Sequence, residues 1–149
     1  MPGFLVDTNV WVAFVFPPHP GHMLALKALK VASAAQPAVL CRATELSFLR
    51  LLTTAAVFQT YGVAHMTNRL ALDMLDLLLG LPHVVERDEP PSVMARWRQL
   101  AALPSPAPKT WMDAYLAAFA LSAGLSLVTL DKDFNAFSRY GLHCNLLTP

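Results

Sequence analysis

Four acids in this 149-residue chain stand where chemistry would need them. Phe4-Leu5-Val6 runs straight into Asp7, and Ser126 to Leu130 runs straight into Asp131. Each reads as a short buried strand ending on a carboxylate. If the two strands share one parallel sheet, Asp7 and Asp131 emerge at the same edge, where open α/β sheets place their ligands. Glu45 opens the helix after a second strand candidate, Ala38 to Cys41, and the short loop before it puts it near that edge. Asp113 lies in the first turn of the helix leading into the strand that ends at Asp131. Like charges gathered there need a proton or a cation between them. Glu45 precedes a Leu-rich face and Asp113 is set in Trp111-Met112-Asp113-Ala114-Tyr115-Leu116, and burying acids among apolar residues is costly without a compensating charge. Hard oxygen donors with no His or Cys cluster beside them favour Mg²⁺ or Mn²⁺ over zinc.

Each of the four also has an ordinary explanation. Asp7 and Asp131 fit N-caps of following helices. Thr110 to Asp113 has capping-box spacing, and Glu45 in a first helical turn complements the macrodipole. The other acids, among them Asp73, Asp76, Glu86, Asp88 and Glu89, read as members of solvated faces or turns. Rival chemistries find little support. The glycines form neither GxG nor GxxxxGK, and no GxSxG elbow occurs. His19-Pro20-Gly21-His22 carries two imidazoles in a loop rather than a ligand array. Asp131-Lys132-Asp133 mimics the DxD of haloacid-dehalogenase-type phosphotransfer enzymes, but that fold needs its Asp on an early strand and only sixteen residues follow Asp133.

The elements that would position these acids alternate. Val10 to Phe16 is an apolar helix stopped by Pro17-Pro18. His19 to Ala35 has Met23, Leu24, Leu26, Leu29 and Val31 at helical spacing, and Thr44 to Ala56 has Leu46, Leu49, Leu51 and Leu52. Thr67 caps a helix over Asn68 to Leu79 with Leu70, Met74, Leu77 and Leu78 on its apolar face. Pro82 to Glu86 is a weak third strand, Ser92 to Leu103 an amphipathic helix, and Pro104 to Pro108 a stiff loop. Thr110 to Gly124 is the clearest helix, with Gly124 beyond its end. A short helical turn follows Asp131, then a last strand around Leu142 to Leu147. Strands alternating with helices imply βαβ units and a parallel sheet.

Composition narrows the class further. One domain over residues 1–149 fits the length. Hydrophobic content of 55% against 14% charged exceeds what a core of this size needs, so part of it is expected to cover a partner or a second copy. A net charge of +1 gives no global basic field, so phosphate contacts would fall to local cations: Arg42, Arg50, Lys109, Lys132 and Arg139. Cys41 and Cys144 form no CxxC and read as reduced thiols. No signal peptide is apparent, and the uncharged run Ala114 to Leu130 is too short and too polar for a membrane span. The expectation is a cytoplasmic protein with no membrane association.

Four segments in order carry a resemblance: Leu5-Val6-Asp7-Thr8-Asn9-Val10; Arg42 to Thr53 around Glu45; Trp111 to Ala120 around Asp113; and Leu127-Val128-Thr129-Leu130-Asp131 through Phe134. Together they resemble PIN-domain proteins, and more narrowly the VapC-type toxins of bacterial toxin–antitoxin pairs. The resemblance implies a three-layer α/β/α domain around a parallel sheet of about five strands. It implies a divalent-metal-dependent endoribonuclease, with Mg²⁺ or Mn²⁺ as cofactor, a small cognate antitoxin as partner, and a homodimer. The family's acidic quartet falls on Asp7, Glu45, Asp113 and Asp131, both as catalytic residues and as metal ligands, with Asn9 and Thr129 at supporting polar positions. Asp133 stands as a contributor or a substitute for Asp131. Two other readings stay open: a non-catalytic partner-binding module on the same fold, and a phosphatase or related phosphotransfer enzyme.

Overall fold

The computed structural model describes residues 3–149; Met1 and Pro2, at the head of the expected domain, lie outside the described residues. Five parallel strands form one sheet: β1 (Phe4–Val6), β2 (Ala38–Leu40), β3 (Val84–Glu86), β4 (Ser126–Thr129) and β5 (Cys144–Leu146). Their spatial order is β3-β2-β1-β4-β5. The chain therefore builds outward from β1 to β3, then crosses back to lay β4 on the other side of β1. That reversal is a topological switch point, and it opens a crevice beyond the carboxyl ends of β1 and β4.

Alternation along the strands divides the core in two. Phe4, Val6, Ala38, Leu40 and Val128 face one layer, made of α1 (Thr8–Val15), α2 (His22–Lys30), α3 (Arg42–Leu52), α4 (Ala55–Thr60) and α5 (Asn68–Leu79). Leu5, Val39, Cys41 and Leu127 face the other, made of α6 (Val93–Ala101), α7 (Thr110–Ala123) and a 3₁₀ segment, Lys132–Tyr140. A sheet covered on both faces explains why its strands read as continuous apolar runs. The expected three-layer α/β/α architecture is present.

The backbone has two tight points. Gly3 has φ +102°, and a Cβ there would run into the Pro37 carbonyl, so the start of β1 lies flush against the entry to β2. Gly124 ends α7 at φ 69° and turns the chain into β4. The uncharged run from Ala114 to Leu130 is thus a buried helix followed by a buried strand. Among the described residues no helix is long and apolar enough to cross a membrane.

Several expected boundaries and faces are corrected. The second helix spans His22–Lys30 rather than His19 to Ala35, because His19 sits in a turn, its Nδ1 accepting from the Gly21 N–H at 2.8 Å. The next helix begins at Arg42 rather than Thr44 and stops at Leu52. There the Thr53 and Thr54 hydroxyls donate back to the Leu49 and Arg50 carbonyls, a local competition that favours a helix end and separates off α4. The short turn after Asp131 is a nine-residue 3₁₀ segment. Met23, Val31, Leu46, Leu70 and Leu77, all expected on inward faces, are exposed. In α3 the buried residues are Thr44, Glu45, Phe48 and Leu52, so Leu46 is 60% exposed while its neighbour Glu45 is only 1% exposed. Adjacent residues on a helix lie roughly 100° apart, so burying Glu45 turns Leu46 outward.

Candidate active site

Asp7 leaves β1 at the switch point and caps α1. Its Oδ1 accepts from the Thr8 N–H at 2.7 Å, and its Oδ2 accepts from the Thr129 hydroxyl at 2.7 Å. Thr129 closes β4, and its Oγ1 also accepts from the Asp131 N–H at 3.0 Å. Asn9 Oδ1 takes the Leu130 N–H at 3.4 Å, and the Asp7 N–H donates to the Val128 carbonyl at 2.9 Å. The two strand ends are thereby locked together, and capping and site-building fall to the same carboxylates. Asp131 likewise caps the 3₁₀ segment, its Oδ1 accepting from the Asp133 N–H at 2.9 Å.

Asp113 arrives from α7, whose N-terminus lies at this same edge because the helix leads back into β4. The expected capping box at Thr110 is not formed: Lys109 holds the N-cap position with no side-chain cap bond. Burial first, then the charges of Asp131, Asp7 and Asp133, push the Asp113 carboxyl up to about 6, with Lys109 opposing. Burial also raises Asp7, against the Thr129 and Thr8 hydrogen bonds; the Asp131 charge adds to the rise and Lys109 opposes it. The compensating cation is fully exposed: Lys109 Nζ stands 3.2 Å from Asp133 Oδ2 and 3.5 Å from Asp131 Oδ2. Of that pair Asp131 is the more enclosed, its side chain 27% exposed against 56% for Asp133.

Glu45 belongs to a different neighbourhood. Its Oε2 accepts from Arg42 Nη1 at 3.3 Å, and its Oε1 is buried with no hydrogen-bond partner. Burial, followed by contact with Glu86 and its charge, raises the Glu45 carboxyl to about 7, with Arg42 pulling the other way. Arg42 also reaches Glu86 Oε2 at 3.8 Å. The charges acting on Asp113 come from Lys109, Asp131, Asp7 and Asp133, whereas those acting on Glu45 come from Glu86 and Arg42. Three of the four expected acids, Asp7, Asp113 and Asp131, therefore act on one another, and the fourth, Glu45, pairs instead with Glu86. Glu86 is the member that sequence reasoning assigned to solvent. Its signal was the one used for Asp7, an acid ending an apolar strand, and it is brought in when β2 and β3 pair with Leu40 opposite Glu86.

The expected phosphate-contacting cations divide too. Arg42 and Lys109 are engaged by the acids. Arg139 packs over the Tyr140 ring, and Arg50 lines a groove with Asn68 and Leu72 on the α3–α5 side. The His19 and His22 rings are spent on local backbone contacts, His22 Nδ1 lying 2.8 Å from the Ala13 carbonyl oxygen. Cys41 and Cys144 are free thiols, both raised by burial.

The donor set suits a hard cation: the hydroxyl-braced Asp7 carboxylate, the raised Asp113 carboxyl, and one orphaned buried oxygen on Glu45. Among the described residues no three His, Cys, Asp or Glu side chains stand close enough to cage an ion.

Comparisons with known proteins agree with the fold. The PIN domain family model matches residues 4–140. The chain is 44% identical over 138 residues to Ribonuclease VapC41 of Mycobacterium tuberculosis, covering 92% of each chain. Its fold matches VapBC2 from Rickettsia felis bound to a DNA fragment from their promoter (TM-score 0.66, 14% identity, 97% of this chain and 98% of that one). It also matches Mycobacterium tuberculosis VapC20, described as a sarcin–ricin loop cleaving toxin (TM-score 0.63, 18% identity, 90% and 94% covered).

Proposed function

The chain belongs to the PIN-domain family, and on that premise we propose that it is a ribonuclease, the toxin of a toxin–antitoxin pair, hydrolysing RNA phosphodiester bonds with a divalent metal ion. The single observation that carries the catalytic reading is Asp113. Its carboxyl is raised to about 6 by burial and by neighbouring aspartates at the switch-point crevice. Acids gathered at one crevice repel one another, and a bound cation relieves that repulsion.

In this reading Asp7, Asp113, Asp131 and the free Oε1 of Glu45 would hold the Mg²⁺ or Mn²⁺. Such an ion would supply acidification of water and stabilisation of negative charge on the phosphate. Thr129 fixes the Asp7 carboxylate, so its geometry is set before metal or substrate arrives. Arg42 offsets the charge of Glu45 and Glu86, and Lys109 does so for Asp131 and Asp133. Both cations are largely exposed and lie where an incoming phosphodiester would meet them. Water rather than a 2′-hydroxyl is the nucleophile, so preference for RNA must come from shape and base contacts. One domain accounts for the whole chain.

Exposed Leu46, Leu72 and Leu77 on α3 and α5 support an apolar face for an antitoxin or a second copy of the chain. A solved relative is itself a VapBC assembly.

The test is cleavage of total cellular RNA by purified protein with Mg²⁺ or Mn²⁺ and with EDTA, alongside Asp7→Asn and Asp113→Asn checked for folding. Discrete fragments that disappear with EDTA and with either variant are expected. Folded wild type that cuts nothing with metal present would point to a binding module. Release of inorganic phosphate from small esters, without internal cuts, would point to a phosphotransfer enzyme.

A further inference from the structure

Along the N-terminal turns of α7, the helix that carries Asp113, lies a cavity of about 340 Å³, within the ~300–1,000 Å³ range of small-molecule pockets. Ala43, Met94, Trp97 and Trp111 give it apolar and aromatic walls, and Glu89 and Tyr115 are its polar side chains. Pro108 and Met112 also border it, adjoining Lys109 and Asp113 of the site in sequence. Trp97 spends its only polar group internally, the indole N–H donating to the Trp111 carbonyl at 2.9 Å. That bond holds the rings at a centroid distance of 5.9 Å, tilted by 48°. What remains available is ring surface, and Trp111 is 59% exposed. A large indole left in water beside a nuclease site needs a reason.

Two charged groups narrow the choice of occupant. The Tyr115 hydroxyl donates to Glu89 Oε2 at 2.7 Å, which steadies the carboxylate and leaves Oε1 free to accept. On the other side of the Trp pair a second cavity is lined by Arg98 with Trp97 and Trp111. An aromatic wall with an acceptor on one side and a guanidinium on the other complements a nucleotide. Its base stacks on the ring, its amino group meets the carboxylate, and its neighbouring phosphate meets the cation. An apolar peptide side chain would use the walls but leave Glu89 and Arg98 without a counterpart.

We propose that this cavity is a base-reading subsite. It takes one unpaired nucleobase of the RNA beside the scissile phosphate, stacked on Trp111 and selected by Glu89 for an exocyclic amino group, so that adenine, cytosine or guanine is preferred over uracil. The inference rests on the ribonuclease reading for its substrate class and deepens it by naming a specificity residue.

The experiment measures binding apart from cutting. Anisotropy of end-labelled uridine hexanucleotides carrying a single A, C or G is compared with the all-uridine hexamer, using the full chain in EDTA. At least one amino-bearing hexamer should bind about tenfold more tightly than all-uridine. Trp111→Leu, which keeps apolar area but removes the ring, should weaken binding about tenfold. Glu89→Leu, which removes the acceptor, should abolish the preference for amino-bearing hexamers over all-uridine. In the presence of Mg²⁺ the same variants should move or blur the cleavage positions in an RNA pool.

Equal binding of all four hexamers overturns the subsite, and so do variants that bind and cut as wild type does. Variants that keep RNA binding and cleavage positions but escape inhibition by the antitoxin assign the cavity to the protein partner, which also overturns it. Base-selective binding by a wild type that never cuts RNA supports the subsite and removes the nuclease reading instead.

Discussion

At the junction of β1 and β4, Asp7 has both carboxylate oxygens occupied by neutral donors, the Thr8 N–H and the Thr129 hydroxyl. At the end of β2 and β3, Glu45 is as deeply buried but has one oxygen with no partner, another carboxylate beside it and a single, mostly exposed Arg42 in compensation. The two regions share a sheet edge and a charge, yet the first is satisfied by the fold and the second is not. Neutral donors position an anion without neutralising it, so the Asp7 cluster keeps its geometry and its demand for a cation. A buried carboxylate with one oxygen left without a donor relieves itself by taking a proton, and the Glu45 carboxyl is raised to about 7. The first cluster is built to hold; the second is built to respond.

The comparison would break first on activity. Asp7→Asn should lower the RNA cleavage rate by about 10²–10³-fold in single-turnover assays. Glu45→Gln should cost roughly 10–100-fold. Equal losses would mean that the two regions do the same work.

Stability sharpens the contrast. Thr129→Val leaves Asp7 Oδ2 buried without its donor and should destabilise the metal-free protein by about 1–3 kcal/mol in urea unfolding. Glu45→Gln removes a buried ionisable group and should leave the midpoint unchanged or raise it. A midpoint that falls as far for Glu45→Gln as for Thr129→Val would show Glu45 to be satisfied after all.

The pH dependence follows from the same groups. The carboxyls of Asp7, Asp113 and Glu45 are all raised in the folded state, the last two to about 6 and about 7. Below about pH 3 folded and unfolded chains both hold these protons. As pH climbs, the unfolded chain ionises first, so the folded state loses ground until its own groups ionise near pH 6 to 7. Melting temperature in EDTA should therefore fall by a few degrees between about pH 4.5 and 7.5. Mg²⁺ should recover most of that loss at the upper end and little at the lower, and a shallower profile in Asp113→Asn would assign part of the slope to that residue.

The smallest effect concerns Glu86. With Glu86→Gln, Glu45 loses a like charge and its carboxyl should titrate at lower pH. The rising limb of the metal-dependent cleavage profile should then move to lower pH, with the plateau rate within about threefold of wild type. A plateau loss as large as that of Glu45→Gln would place Glu86 among the groups that hold the metal.

Much of the fold was legible from residue order. β1, β2 and β4 stood out as short apolar runs, and a helix over 68–79 was marked by Thr67, whose hydroxyl accepts from the Leu70 N–H at 3.1 Å. Helix faces were not legible. With 55% of the chain hydrophobic, apolar residues occur on every side of α3 and α5, and periodicity no longer tells Leu46 or Leu77 from the core. The Asp7, Asp113 and Asp131 cluster followed from strand ends and helix starts, whereas the partner of Glu45 did not. Glu86 follows a strand too weak to rank, and its weight comes only from pairing with β2.

By itself the sequence determined which residues are acids at strand ends, that strands and helices alternate, and the family to which the chain belongs. These are local or ordered properties, carried by neighbours along the chain. Tertiary structure decided that the chain reverses between β1 and β4, that Thr129 serves Asp7 across 122 positions, and that Glu45 lies with Glu86 and Arg42 apart from the aspartates. Those outcomes depend on sheet order and burial, and the free energy of a charge depends on what surrounds it in space rather than on what precedes it in the chain.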